Sequence, residues 1–93
     1  MHMKKADENK NMEKQQNTVK QQLISQYIKY RKMKNLTQEE LATGMGIKRP
    51  NISRFESGQC NPTLDLLIKM AECMDLEIRV ELSEKQGDFQ YEE

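Results

Sequence analysis

This sequence is poor in the residues from which metal centres and covalent catalysts are built. Its two cysteines, Cys60 and Cys73, do not form a CxxC motif, and its single histidine, His2, lies in a polar N-terminal stretch. Zinc sites need clustered Cys or His ligands, and a Cys–His nucleophile needs both residue types. No paired acid and base, phosphate-binding loop or metal-ligand cluster is recognisable. We therefore expect no catalytic residue, no metal, no cofactor and no enzymatic activity.

Long apolar runs are also missing. Hydrophobic residues make up 35% of the 93 positions and charged residues 32%. No run approaches the roughly 18 apolar residues that cross a bilayer. No signal peptide is recognisable, because no apolar stretch follows Lys4 and Lys5. We expect no membrane contact and a cytoplasmic location. So short a chain holds one domain at most, which excludes a large enzyme with a two-domain cleft.

The charge is balanced over the whole chain but not along it. Fifteen basic and fifteen acidic residues give a net charge of zero. Residues 28–55 hold seven basic and two acidic residues, so this segment carries a charge of +5. Residues 56–93 hold three basic and ten acidic residues, so their charge is −7. This asymmetry indicates a basic working face and an acidic remainder.

Local signals predict helices between polar ends. Residues 1–17 are almost all polar, which is typical of a flexible tail or of a solvated helix. Helical spacing of apolar residues follows over residues 18–34. Three further helices are predicted from their start signals: a capping box over Thr37–Glu40, the pair Arg49-Pro50, and Thr63 as a cap. The last of these helices carries an apolar stripe: Leu64, Leu67, Ile68, Ala71 and Met74.

The segment from Gln38 onward has the residue types of a helix-turn-helix. Its apolar positions are Leu41, Met45, Ile47, Ile52 and Phe55. Ala42 stands where two helices would cross closely, and Gly46 stands where the turn needs a positive φ. The apolar residues would hold the second helix against the first. The outer face of the second helix would then protrude.

Residues from about Leu23 to Glu81 resemble the XRE or Cro-like (lambda-repressor-like) helix-turn-helix family. The resemblance rests on Arg31 and on three segments: LTQEELATGMGI (36–47), ISRFESG (52–58) and NPTLDLLIKMAE (61–72). It implies an all-α domain of four to five helices that binds a palindromic double-stranded DNA operator and represses transcription. It also implies a structural ion pair between Arg31 and Glu56.

The resemblance makes Arg49–Glu56 the recognition helix. Its outward residues, which we expect to face DNA, are Lys48, Arg49, Pro50, Asn51, Ser53 and Arg54. Arginine can bridge guanine O6 and N7, and asparagine can bridge adenine N6 and N7. Gln38 resembles the family's phosphate-clamping glutamine. Further candidates for backbone contacts are Lys34, Arg54, Ser57 and Gln59. Lys48 stands where the family usually has a capping Ser or Thr, so the cap is weaker and Lys48 is free to reach DNA.

The period of the sequence changes after the fourth helix. Leu76, Ile78, Val80 and Leu82 alternate with polar residues, which predicts a β-strand with one solvated face. A lone strand leaves its backbone groups without a ladder. A second copy could supply an antiparallel partner, so these four residues are predicted to make a homodimer. The alternative is a segment that runs along the surface of its own chain.

Small antitoxins of toxin–antitoxin operons resemble this order of a Cro-like domain, a strand and a polar tail. The resemblance implies autoregulation and a cognate toxin protein as a second partner. The predicted organisation is a DNA-binding domain over residues 18–75, a dimerisation strand over 76–82 and a polar acidic tail over 83–93. Two hypotheses stay open beside it: a protein-interaction module that has lost DNA binding, and a small enzyme.

Overall fold

The computed structural model describes residues 2–85 of the chain, with side chains from Asn11 onward. It contains four α-helices: α1 (His2–Met33), α2 (Gln38–Met45), α3 (Arg49–Glu56) and α4 (Leu64–Cys73). α2 packs against α3 and α4, and α1 packs against α3. For the described residues the predicted all-α class is confirmed, with four helices rather than five.

The first helix is far longer than the other three. α1 has 32 residues, which at 1.5 Å per residue is about 48 Å. Of the α1 side chains that the structure describes, those buried in the core are Ile24, Tyr27 and Arg31, all in the C-terminal half. Residues 11–19 are all exposed. Residues 2–17, for which the sequence left a tail or a solvated helix open, are helical and continuous with α1.

The helix starts follow the predicted caps. The Glu40 backbone N–H donates to Thr37 Oγ1 at 3.0 Å, and the Thr37 backbone N–H donates to Glu40 Oε1 at 2.9 Å. This reciprocal pair confirms the capping box. Thr63 Oγ1 accepts from the Leu66 backbone N–H at 3.1 Å. Lys48 precedes α3 with no side-chain capping bond, which confirms the weak cap expected there.

All four helices end in the same way, with a left-handed residue followed by a backbone bond that reaches back five positions. The left-handed residues are Asn35, Gly46, Gly58 and Asp75. In the turn between α2 and α3, the Ile47 N–H donates to Ala42 O at 3.0 Å. Two of these positions are glycines because a residue without a Cβ adopts positive φ at little cost. The four stops end the helices and turn the chain sharply.

The core lies where α1, α2, α3 and α4 meet. Its buried apolar residues are Ile24, Tyr27, Leu41, Ala42, Met45, Ile52, Phe55, Met70, Ala71 and Met74. The rings of Tyr27 and Phe55 meet edge to face, with centroids 5.4 Å apart. The Tyr27 hydroxyl donates to Leu67 O at 2.7 Å. Burial raises the pKa of the Tyr27 phenol, which keeps the hydroxyl protonated and able to donate.

The C-terminal strand predicted over residues 76–82 is not present in the single chain, and its pairing with a second copy stays a prediction. The described residues after α4 form no strand. Instead the Leu76 N–H donates to Ala71 O at 2.8 Å and closes the end of α4. Leu76 and Ile78 then pack on the core of their own chain. The physical reason is that the described part of the chain has no second strand to complete a ladder. Of the tail predicted over 83–93, residues 86–93 lie outside the described residues.

The apolar stripe predicted on α4 is rotated from the observed one. Met70, Ala71 and Met74 are buried, whereas Leu64 and Ile68 are exposed. The prediction therefore placed two surface residues in the core. Their exposure leaves apolar surface beside the segment that follows α4.

Candidate nucleic-acid interface

The inner face of α3 fixes the direction of its outer face. Ile52 and Phe55 are fully buried. Because these two inner residues are held by the core, the residues between and before them must point to solvent. The exposed side chains at this end are Lys48, Arg49, Pro50, Asn51 and Arg54, and Ser53 is half-buried. The predicted outward residues thus share one face of the molecule, apart from the partial burial of Ser53.

An ion pair ties α1 to the end of α3. Arg31 Nε donates to Glu56 Oε2 at 2.6 Å, and Nη2 donates to Oε1 at 3.1 Å. Arg31 Nη1 also donates to Leu36 O at 2.8 Å. Both side chains are about nine-tenths buried. The pair that the family resemblance implies is therefore present as a bidentate, desolvated contact that holds the α1–α2 corner against α3.

Gln38 links this buried pair to the exposed face. Its Nε2 donates to Glu56 Oε1 at 2.8 Å, and its Oε1 accepts from Arg49 Nη1 at 3.2 Å. A primary amide carries two N–H donors, so one hydrogen of Nε2 is left for a ligand. The half-buried amide is therefore held in one orientation from both sides. Arg49 in turn is positioned by a side chain that itself contacts the core ion pair.

A second contact orders the outer face of α3. Arg54 Nη2 donates to Asn51 Oδ1 at 2.6 Å. The two residues lie three positions apart, so their side chains are neighbours on the helix surface. Asn51 Oδ1 has a second lone pair and Nδ2 keeps both hydrogens, which is the donor–acceptor pattern that an adenine edge requires. The contact holds the amide on the surface without consuming its capacity to bind.

The other predicted residues surround this group. Lys34 and Gln59 are exposed. Ser57 is exposed as well, and its hydroxyl donates to Arg54 O at 3.2 Å. Of the two acidic residues in the basic segment, Glu40 is engaged in the capping box. On α3 and its cap, the exposed charged side chains are Lys48, Arg49 and Arg54, which are all positive.

Three contacts of this site were not predicted from the sequence: Gln38 with Glu56, Gln38 with Arg49, and Asn51 with Arg54. The spacing of Asn51 and Arg54 on one helix could have indicated their contact. The two bonds of Gln38 join residues 18 and 11 positions apart. No local pattern carries that information.

Two further features are absent from the described residues: a membrane-spanning helix and a cluster of metal ligands. No helix there is long and apolar enough to cross a membrane. Among the side chains that the structure describes, those of residues 11–85, no group of three His, Cys, Asp or Glu could hold a metal ion.

Known proteins are similar in sequence to this part of the chain. The helix-turn-helix family matches residues 28–80, more than half of the sequence. An uncharacterized HTH-type transcriptional regulator of Haemophilus influenzae is 42% identical over 48 residues, which cover 52% of this chain and 49% of that protein. Antitoxin HigA1 of Mycobacterium tuberculosis is 35% identical over 60 residues, covering 64% of this chain and 40% of the antitoxin.

A phage protein shows a similar match. The cryptic phage CTXphi transcriptional repressor RstR of Vibrio cholerae is 33% identical over 60 residues, which cover 64% of this chain and 50% of the repressor. This chain thus matches about half, or less, of the length of these three relatives. No solved structure matches it.

Proposed function

Because the chain belongs to the XRE/Cro-like helix-turn-helix family, we propose that it is a sequence-specific transcriptional repressor that binds double-stranded DNA through the outer face of α3. The observation that carries the proposal is the exposed, mainly basic group of Lys48, Arg49, Asn51 and Arg54 on a helix whose inner face is fully buried. A protruding helix with this chemistry fits the major groove, which is wide enough to admit it.

The proposed roles follow from the chemistry of each side chain. Arg49 and Asn51 read base edges, since arginine suits guanine and asparagine suits adenine. Gln38 contacts a phosphate through its remaining amide hydrogen. The other proposed contacts, which position the domain on the backbone or line the groove, are Lys34, Lys48, Pro50, Ser53, Arg54, Ser57 and Gln59.

The operator is proposed to be palindromic and the protein a homodimer. One recognition helix contacts only a few base pairs. A two-fold symmetric dimer contacts twice as many, at half-sites about 34 Å apart. Residues 76–82 are proposed to lie at the interface. Val80 is 75% exposed and Leu82 is 96% exposed, so both are free to contact a second copy, which could also supply the ladder that the single chain lacks.

An autoregulating antitoxin is the more specific candidate within this function. It is favoured by the similarity to HigA1 and by the charge of −7 on residues 56–93, which suits a basic toxin. The test is co-purification of the product of the neighbouring gene with this protein, together with relief of its toxicity. A neighbouring gene whose product neither binds the protein nor harms the cell would favour a plain repressor.

The salt dependence of binding tests the proposed function. The labelled duplex is a candidate operator from the protein's own promoter, and its affinity is measured by fluorescence anisotropy. Raising the salt from about 50 to 200 mM should weaken binding by about tenfold or more, because phosphate contacts release counterions. A protein without DNA affinity at any salt would instead be the protein-interaction module. An affinity that does not change with salt concentration would contradict the proposal that a basic face contacts the DNA phosphates.

A further inference from the structure

Residues 11–19 of α1 form a helical stretch whose side chains do not pack on the described part of their own chain. Residues 11–19 are exposed throughout, although they include Met12 at 56% and Val19 at 54% exposure. An isolated polar helix of this length is marginal in water, and helices are normally stabilised by packing one face. This stretch thus presents an apolar edge that its own chain leaves open.

Two open grooves continue from that edge along α1 toward the C-terminal segment. One is lined by Met12, Val19 and Leu23 of α1 with Leu67 of α4. The next is lined by Leu23 and Tyr30 of α1, Leu64 of α4, and Val80. They share Leu23 and Leu67, so they form one apolar channel between α1, α4 and residues 76–80. None of the residues proposed to contact DNA lines this channel.

Six of the α1 residues that line this channel repeat when the sequence is reversed; the other lining residues of α1 are Gln15, Asn17, Lys20 and Tyr27. Going forward from the N-terminal half, the face reads Met12, Gln16, Val19; going backward from the other end, it reads Tyr30, Gln26, Leu23. Both series have spacings of four and three, and both run apolar, glutamine, apolar. A two-fold interface must be self-complementary, and an antiparallel pair of α1 helices meets that condition in one register.

From these features we infer that two copies pair through α1, with the exposed N-terminal half of each helix lying in the channel of the other. Met12 of one copy contacts Tyr30 of the second, Gln16 faces Gln26, and Val19 packs on Leu23. The overlap is about 27 Å at 1.5 Å per residue. The inference rests on and deepens the proposed function, because it adds α1 to residues 76–82 as the surface through which the proposed DNA-binding dimer forms.

Charge argues against a strongly charged partner as the occupant. Between Gln15 and Ile28 the only charged residue is Lys20, and its Nζ donates to Asn61 Oδ1 at 3.1 Å. In the wall formed by residues 76–80, Glu77 and Arg79 are paired at 3.6 Å. In the proposed register the two Lys20 residues lie about 3 Å apart along the helix axes, and each ammonium is held toward Asn61 of its own chain. A strongly basic or acidic partner would find no complementary charge there.

A charge placed on this face tests the inference. Val19→Glu puts a carboxylate into the proposed apolar contact, and the matched control Thr18→Glu makes the same change at the next exposed residue, which lines neither groove. In sedimentation equilibrium, Val19→Glu should raise the dimer dissociation constant by about tenfold or more, whereas Thr18→Glu should leave it within about twofold. Equal dimerisation of Val19→Glu and wild type would overturn the inference.

Disulfide trapping tests the register. In a background with Cys60→Ser and Cys73→Ser, Gln16→Cys and Gln26→Cys proteins are oxidised separately and as an equal mixture. A disulfide needs Cα atoms within about 7 Å, and in this register two copies of position 16 are about 15 Å apart along the helices. Only the mixture should cross-link. Cross-linking of either variant alone, or none in the mixture, would overturn the register.

The two proposals can fail separately. If Val19→Glu remained a dimer and the wild type bound DNA with salt dependence, the α1 interface would be wrong and the proposed function would stand. If Val19→Glu became monomeric while the wild type showed no DNA affinity, the interface would stand and the proposed function would fail.

Discussion

Two polar contacts at α3 have the same length, but one is buried and the other is exposed to solvent. Arg31 Nε and Glu56 Oε2 lie 2.6 Å apart in the interior, and Arg54 Nη2 and Asn51 Oδ1 lie 2.6 Å apart in solvent. Burial makes the first contact indispensable, because either partner alone would be a stranded charge. Water competes for the second, so it contributes only a few tenths of a kcal/mol and can be exchanged for contacts to a ligand. Distance alone therefore does not distinguish a structural contact from a binding one.

The largest effect should come from breaking the buried contact. Arg31→Ala leaves Glu56 charged and nine-tenths buried, which should lower the free energy of unfolding by about 3–5 kcal/mol. Lys32→Ala, at the exposed next position, should change it by less than about 0.5 kcal/mol. Urea denaturation followed by circular dichroism measures both. The combined variant Arg31→Met/Glu56→Met should recover part of the loss, and a loss below about 1 kcal/mol for Arg31→Ala would contradict the structural role.

Changes on the exposed side should alter binding and leave stability alone. Arg49→Ala and Asn51→Ala should each cost about 1–3 kcal/mol of affinity for the operator, with the unfolding midpoint unchanged. Gln38→Ala is the contrasting variant: loss of a phosphate contact should weaken operator and scrambled duplexes alike, and loss of the hydrogen bond to buried Glu56 should also lower the unfolding midpoint. Anisotropy titrations on both duplexes separate these outcomes. Equal losses on both duplexes for Arg49→Ala would remove its base-reading role.

The smallest effect should come from Lys48, an exposed residue that directly precedes α3 and is proposed to contact DNA. It occupies the cap of α3 with extended backbone angles but no capping bond. In Lys48→Thr, the new hydroxyl can share the Asn51 N–H, which already donates to the carbonyl of residue 48 at 3.0 Å, so the free energy of unfolding should rise by only about 0.5 kcal/mol. The same change should weaken DNA binding and reduce the salt slope by about one. Lys48→Ala should weaken binding equally without the gain in stability. A Lys48→Thr variant that bound as tightly as wild type would place Lys48 outside the interface.

How much could be predicted from sequence differs between parts of the fold. Thr37, Gly46 and Pro50 act on their immediate neighbours, so the helix-turn-helix and the direction of α3 followed from local rules. Leu64 and Ile68 fit an apolar stripe by spacing alone, but which side of α4 is covered depends on how α1 and residues 76–78 pack. The alternation over 76–82 predicted a strand, yet forming one requires a partner that the described chain does not contain.

The candidate site shows the same division. The outward residue types of α3 could be identified from the helix period, because Ile52 and Phe55 had to face inward. The hydrogen bonds that set Gln38 between Glu56 and Arg49 could not, because they join three elements of the structure. Local sequence therefore predicted which groups meet the ligand, and tertiary packing decided how they are held.

Selection of duplexes from a randomised library, with wild type and Arg49→Ala side by side, tests the central claim that the outer face of α3 reads DNA sequence. Wild type should enrich a two-fold symmetric site with half-sites about 34 Å apart. Arg49→Ala should enrich a related site that has lost its preference at one position in each half. Enrichment of no sequence by the wild type, or of the same site by both proteins, would contradict the claim.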